Sequence, residues 1–423
     1  MKNQQGKRRI AVIGAGVAGI VASYILQRKY DVSLFEKNHY LGGHTNTVVI
    51  EAGPDKGLPV DTGFIVLNDK TYPLFNQFLN QLNVKTRTSD MSFSYYDQRD
   101  QFQFAGTNLN GLFAQRKHFF SPSFYQLLAG IIKFSKHALN DLENNRFNGE
   151  TLGQYIERIK IPDISTQRYL IPMGGAIWSA SEKDILDYPA ESFVRFFKNH
   201  GLLSLKDIPE WKTVVGGSHS YVKAFEEQFS GQIHLNAEID FVRREDEQII
   251  LRMSDGTEQC YDDVVLATHA DESLRLLFDP TDEEKKRLGA WSYSKNHTIL
   301  HTDTSVLPKL KRAWASWNYI RHDDQGQSGS VTYHMNRLQG LNTKQDYCVT
   351  LNGSQLISPD KIIKEMIYTH PIFTNESLNS QAGLPHLNGK NNTYFCGSYF
   401  GYGFHEDAVK SAVDVARKMG LSL

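Results

Sequence analysis

Ile10-Ala11-Val12-Ile13-Gly14-Ala15-Gly16-Val17-Ala18-Gly19, followed by Glu36 and then Leu41-Gly42-Gly43-His44-Thr45, decides how this chain folds. Residues 9–13 read as a short buried parallel strand, apolar on both faces. Gly14 permits a tight turn, Gly16 lets a pyrophosphate approach the backbone, and Gly19 lets the next helix pack close to the strand. That helix is expected over residues 17–29, with Val17, Ile20, Val21, Tyr24 and Ile25 at helical spacing. Its first N–H groups and dipole would face the phosphates. A second strand over 31–35 ends at Glu36, where a carboxylate accepts hydrogen bonds from a ribose. A glycine-rich turn alone is a weak sign. A strand before it, a helix after it and an acid at this distance make it a dinucleotide site.

Gly42-Gly43 sharpens the cofactor. Paired glycines soon after the ribose acid let the chain run along an extended dinucleotide, which favours FAD over NAD. Taken alone the pair reads equally well as an ordinary turn.

Length and composition bound the rest. At 423 residues the chain can bury a large core and is expected to hold two domains. Its 46 basic and 47 acidic residues leave a net charge of -1, so no global field attracts nucleic acid. The three cysteines, Cys260, Cys348 and Cys396, are far apart and make no metal spacing, as in a reduced, cytoplasmic compartment. The basic start Lys7-Arg8-Arg9 runs straight into the first strand, so no signal peptide is expected, and no stretch reaches the length of an apolar membrane span. No metal site is expected.

Two later segments continue the nucleotide-binding pattern. Residues 232–235, 239–242, 249–253 and 262–268 are strand-like, with a turn at Ser254-Asp255-Gly256. At the far end, 393–396 reads as a strand closed by Gly397, and 406–419 as a helix with Ala408, Val409, Ala412, Val413 and Ala416 on one face. The fold class is therefore α/β: a Rossmann-like domain assembled from 1–75, 205–289 and 376–423. A substrate domain over 76–204 and 290–375 completes it. Residues 75–205 look mainly helical. The runs 296–301, 313–319, 330–335 and 347–351 alternate as a mostly antiparallel sheet should.

The motifs together resemble those of the FAD-dependent amine-oxidase superfamily. More narrowly, the chain is similar to predicted bacterial flavoproteins related to the N-terminal half of plant cyclopropane fatty acid synthases. Their genes often lie near those for fatty-acyl methyltransferases. The segments carrying this likeness are 41–48, 60–65, 89–93, 211–218, 313–319 and Phe395-Cys396-Gly397-Ser398-Tyr399-Phe400-Gly401-Tyr402-Gly403-Phe404-His405-Glu406-Asp407.

The resemblance implies noncovalent FAD. Gly14, Gly16 and Gly19 would serve the pyrophosphate, and Glu36 and Lys37 the adenosine ribose region. Gly42, Gly43, His44 and Thr45 would follow the cofactor inward, with Ile239 at the adenine. Gly397, Phe404, His405 and Glu406 would meet the ribityl chain and the flavin O2 edge. A helix N-terminus at that edge would stabilise the charge that develops on reduction. Two departures from the superfamily stand out. His44 replaces a common arginine, making the local charge depend on pH, and no cysteine occupies the flavin-linking pattern.

Tyr399, Tyr402 and His405 are the candidates for orienting substrate or moving a proton. The bland alternative is that the tyrosines wall the site and His405 hydrogen-bonds at a helix start. Asp61 and Asn68, near Phe64, could face the cavity but fit a structural turn as easily, and His334 reads more readily as structural. The apolar stretch from His118 to Phe134, flanked by Arg116, Lys117, Lys133 and Lys136, fits a core helix first and an interfacial helix second. The expected activity is hydride transfer from a substrate C–H to FAD, with a fatty-acyl or modified lipid chain desaturated. Rival readings are an amine oxidase, a flavin-dependent isomerase, and a flavin-stabilised partner of a lipid methyltransferase. Peripheral membrane contact accompanies the lipid reading.

Overall fold

The computed structural model of the chain describes residues 7–178, 180–203, 209–245, 248–322 and 329–423. The expected domain junction at 204/205 lies outside the described residues.

The nucleotide-binding half is built on a five-stranded parallel sheet. Its order is Gln232–His234, Asp31–Phe35, Arg9–Ile13, Asp263–Leu266, Thr393–Phe395. Three distant stretches of chain thus meet in one sheet. Ile10, Val12, Leu34, Val264 and Val265 are fully buried, as strands covered on both faces require. Helix Val17–Leu26 and the terminal helix His405–Lys418 share one apolar core, formed by Ile20, Val21 and Ile25 with Val409, Ala412, Val413 and Ala416. The first helix stops at Leu26 rather than 29, because Arg28 and Lys29 N–H groups turn to the Ile25 and Leu26 carbonyls. A three-stranded antiparallel sheet, Ile239–Glu245, Gln248–Met253 and Glu258–Tyr261, flanks this unit.

The other half centres on a seven-stranded sheet, in the order Ile362–Ile372, Ser292–His301, Cys348–Leu351, Ser330–His334, Trp317–Arg321, Phe93–Asp97, Phe102–Ala105. Every pair is antiparallel except Trp317–Arg321 with Phe93–Asp97. Three expectations need correction. The span 75–205 is not helical throughout. Aromatic-rich Phe93–Asp97 and Phe102–Ala105 are fully buried strands, where β propensity and burial agree. The run 313–319 is not one strand. It starts at Trp317, because a 3-10 turn occupies Lys311–Ala313 and the Asn318 side chain bonds both Ala315 backbone groups. The eleven-residue edge strand Ile362–Ile372 was not anticipated; its Pro371 is tolerated at an edge.

The 118–134 stretch divides in two. Arg116–Phe120 is a 3-10 turn, and Pro122–Glu143 is a helix capped by the Ser121 hydroxyl, which accepts from the Phe124 N–H at 3.3 Å. Phe124, Leu127, Phe134 and Ala138 face the core. Among the described residues no helix is long and apolar enough to cross a membrane.

Candidate active site

The two glycine turns lie against each other. Gly42 N–H donates to the Ala15 carbonyl at 2.8 Å, and Gly16 and Gly42 form a parallel bridge. Gly14 sits at φ +96°, where a Cβ would meet the Ala267 carbonyl oxygen at 2.8 Å. A Cβ on Gly19 would fall 1.8 Å from the Gly14 oxygen, so the helix rests directly on the turn. Gly16 is different. Its φ and ψ of −69° and −179° are ordinary, and a Cβ there meets nothing within 4 Å. The space in front of Gly16 belongs to the cavity.

That cavity holds about 1240 Å³ and is walled by both halves of the molecule. It exceeds the roughly 300–1,000 Å³ of ordinary ligand pockets, which suits a dinucleotide plus a substrate. Gly14, Gly16, Glu36, Lys37, Gly42, Gly43, His44, Ile239, Gly397, Phe404 and His405 all line it. Helix Val17–Leu26 opens onto it through Val17 and Ala18 with no acid in its first turn, so its positive end is free for an anion. Glu36 accepts from the Ala15 N–H at 2.9 Å and from the Asn38 N–H and side-chain amide at 3.0 and 2.7 Å. Carboxylate oxygens carry about four acceptor sites, which leaves capacity for ribose hydroxyls. Lys37 reaches Glu272 at 2.7 Å rather than standing free. The donor set and the space fit a flavin dinucleotide.

Three predicted residues serve behind the cavity wall. Gly19 acts in packing only. The Thr45 hydroxyl is buried between Tyr221 Oη (2.5 Å) and His405 Nε2 (3.0 Å). The Glu406 carboxylate turns to another helix, accepting from the Leu74 and Phe75 N–H groups at 2.9 Å each. It thereby caps Pro73–Gln81, whose own cap residue Tyr72 has no side-chain acceptor in use.

His405 stacks on Phe64 with ring centroids 3.6 Å apart, and burial pushes its imidazole down to about 3. It is neutral near pH 7 and cannot relay protons efficiently there. Tyr399 and Tyr402 line the cavity, and burial raises both phenols above their usual range. All three line the cavity.

Sequence reasoning missed His269, His370, Tyr293 and Lys295, which also line the cavity. His44 lies 5.3 Å from His370 and 6.3 Å from His269, ring to ring, and its Nε2 donates to the Thr369 carbonyl at 3.1 Å. Burial first, then the neighbouring imidazoles, lower His44 well below the ordinary histidine value, and burial likewise lowers His370 to about 4. The cluster is therefore uncharged near neutrality, which corrects the expectation of a pH-sensitive charge at His44. The signal in the sequence was faint: Thr369-His370 sits on the edge strand that sequence reading overlooked.

Asp61 is structural. It is fully buried and accepts from Thr47, Ser218 and Gln339. Asn68 closes a turn through the Lys70 and Thr71 N–H groups, and His334 pairs with Asp346 at 2.9 Å. None of the three lines the cavity, and neither does any cysteine.

The wall away from the glycine turns is aromatic. Trp178, Phe196, Trp211, Trp317, Tyr333 and Phe404 line it, with His200, which burial holds down at about 4. Phe196 touches Trp178, His200 and Phe404 with centroids 4.8, 3.8 and 4.7 Å away. Among the described residues, no carboxylate or cation belongs to this aromatic group. The charged lining residues are confined to 36–37, 238–240, 271–275 and Lys295.

Residues 17–347 match the family model of flavin-containing amine oxidoreductases. Among solved structures, the fold is similar to putrescine oxidase bound to putrescine at 13% identity and a TM-score of 0.71, covering 97% of this chain and 98% of that one. Cyclohexylamine oxidase from Brevibacterium oxydans matches at 12% identity and 0.71, covering 98% and 100%. The CLA-producing fatty acid isomerase from P. acnes matches at 15% and 0.68, covering 97% and 98%. At these identities the likeness is one of fold.

Proposed function

The chain belongs to the flavin-containing amine oxidoreductase family, and from that premise we propose that this FAD-dependent oxidoreductase acts on a fatty-acyl chain. The observation that carries the proposal is the aromatic wall, which among the described residues has no charged side chain. A hydrocarbon chain gains from burial against it, at roughly 0.8 kcal/mol per CH₂. A protonated amine would lose its hydration there and find no carboxylate in return.

Hydride removal from a substrate C–H is the chemistry that FAD supplies when bound. A proton leaving the adjacent carbon for water would then give a C=C bond, with oxygen or another acceptor as the final oxidant taking the two electrons. The protein's part is orientation and water exclusion. Trp178, Phe196 and Phe404 would clamp the chain, while the neutral His44, His370 and His405 keep the cavity free of competing charge. Gly14, Gly16, Glu36, Gly42, Gly43, Ile239 and Gly397 would hold the cofactor noncovalently.

The narrower kinship, to bacterial flavoproteins related to the N-terminal half of plant cyclopropane fatty acid synthases, fits an acyl substrate already methylated or unsaturated. A lipid methyltransferase is the partner that kinship suggests. The likeness to a fatty acid isomerase favours a second reading, in which the hydride returns to the same chain and the double bond moves. Anaerobic mixing with unsaturated or methylated fatty acids and phospholipids tests both. Bleaching of the visible flavin band supports desaturation, and a shifted double bond without lasting bleaching supports isomerisation. Bleaching by amines alone, with neither lipid outcome, sinks the proposal.

A further inference from the structure

We propose that the turn Arg116–Phe120 and the outer face of helix Pro122–Glu143 form a docking surface for an anionic phospholipid bilayer. The inference stands on this surface and not on the identity of the substrate.

Among the described residues, eleven large hydrophobic side chains are exposed, and five of them fall between 109 and 132: Leu109, Phe119, Phe120, Tyr125 and Ile132. Phe120 is 89% exposed and Leu109 75%. Such clustering marks an interaction site, whereas single exposed apolar residues are ordinary. On the helix, Tyr125, Ala129, Ile132 and Lys136 are all exposed and recur at helical spacing, opposite the buried Phe124, Leu127, Phe134 and Ala138.

The aromatic knob is rigidly built. Phe119 stacks on Phe113 at 4.0 Å, the Tyr125 hydroxyl donates to the Phe119 carbonyl at 3.1 Å, and Arg116 bonds the Phe113 carbonyl and the Asn110 side chain. The surface is thus displayed at a fixed shape, with no refolding needed to present it.

Charge selects the occupant. Residues 101–140 contain Arg116, Lys117, Lys133 and Lys136 and not one Asp or Glu, in a chain whose acids otherwise balance its bases. Of the nearest acids, Asp100 is paired with Arg168 at 2.6 Å and buried Asp141 with Arg146 and Arg158, while exposed Glu143 ends this helix and exposed Asp163 stands on the short helix Asp163–Ser165 packed against it. Exposed aromatics ringed by cations, with almost no acid, match the interface of a bilayer rich in anionic headgroups. The location is apt: Phe134 packs edge-on against Phe193 at 6.4 Å, and Phe193 against Trp178 of the cavity wall at 5.4 Å.

The test is flotation of the FAD-loaded protein with vesicles of equal phosphatidylglycerol and phosphatidylcholine, and with phosphatidylcholine alone. Binding is expected to the first and not to the second, and to be lost in 1 M salt, where the Debye length is about 3 Å. Lys117→Gln with Lys136→Gln should weaken it about 20-fold, since each basic residue contributes on the order of 1 kcal/mol, or about fivefold. Phe119→Ser with Phe120→Ser should weaken it by at least about tenfold. Unchanged flavin content and circular dichroism establish that the variants fold. Failure of the wild type to float with anionic vesicles overturns the proposal, and so does equal binding by both variants. A dimer in light scattering that Phe119→Ser with Phe120→Ser dissociates overturns it too, by placing a second copy on this face.

Discussion

Gly16→Ala separates cofactor binding from folding. The Gly16 backbone has a conformation any L-residue adopts, and a Cβ there finds no protein atom within 4 Å. Replacing glycine by alanine at a compatible site stabilises the fold by about 0.4–1 kcal/mol. The weaker N-cap preference of alanine offsets a few tenths or more of that. The apo protein should therefore be unchanged to within about 1 kcal/mol. Unfolding entropy near 2.1 cal/mol/K per residue gives about 0.9 kcal/mol per kelvin for this length, so the apo Tm should move by no more than about 1 °C. The new methyl, however, projects into the cavity beside the first helix N–H groups. A phosphate oxygen accepting from those groups lies about 2.9 Å from nitrogen, too near for a methyl whose ordinary contacts begin at 3.4 Å. A loss of FAD affinity of at least about 100-fold, or 2.7 kcal/mol, follows. Wild-type Tm should rise about 3 °C with FAD at 100 times its Kd, and the variant's by no more than about 0.5 °C. Scanning calorimetry with and without FAD reads both numbers. A variant that binds FAD like wild type, or whose apo form melts several degrees lower, refutes the placement of the pyrophosphate at Gly16.

Gly19→Ala should behave oppositely, costing about 3 kcal/mol or more in apo denaturation, because its Cβ would fall 1.8 Å from the Gly14 oxygen. Glu406→Ala should cost about 1–3 kcal/mol by stranding the Leu74 and Phe75 N–H groups, yet keep its flavin, whereas a side chain that held the flavin would lose it. Burial raises Glu406 to about 7 and Asp407 to about 6, so the folded protein binds these protons more tightly than the unfolded chain. The contribution of Glu406 to stability should therefore fall as pH rises from about 4.5 to about 7, so the wild-type urea midpoint should fall relative to that of Glu406→Gln over this range. Heat denaturation should release all flavin into the supernatant, since no cysteine lines the cavity; colour left on the precipitated chain would show a covalent link.

The nucleotide half was legible because its constraints are local. Gly19, Glu36 and the pairing of Asp31–Phe35 with Arg9–Ile13 rest on contacts within thirty residues, although Gly14 is also pressed by the distant Ala267. Even the distant strands Asp263–Leu266 and Thr393–Phe395 announce themselves as apolar runs closed by turns. The edge strand Ile362–Ile372 gave less away, since one face is solvated and its pattern Lys364-Glu365-Met366-Ile367 alternates poorly. At 93–105 propensity favoured strands, but these sit among helices and only pairing with Trp317–Arg321 makes them part of a sheet.

The site's polar residues show why local reasoning stops where it does. From sequence, Glu406 stands at the start of the terminal helix beside Gly397, and a flavin-edge role is the natural inference. Which way its carboxylate turns depends on Tyr72, more than three hundred residues earlier, which leaves the Pro73–Gln81 helix without a side-chain cap. The two needs compete for one side chain, and the helix end takes it. His44 follows the same logic. Its charge depends on His269 and His370, brought beside it by two other strands' ends, and three half-buried imidazoles whose rings lie about 6 Å from His44 or closer disfavour one another's protonation. The substrate wall is the extreme case. Its aromatics come from six separate segments with no shared period, so neither their convergence nor the lack of charge among them can be read along the chain. That absence among the described residues, visible only in three dimensions, adds support to the acyl-chain reading that the sequence resemblance had already put first.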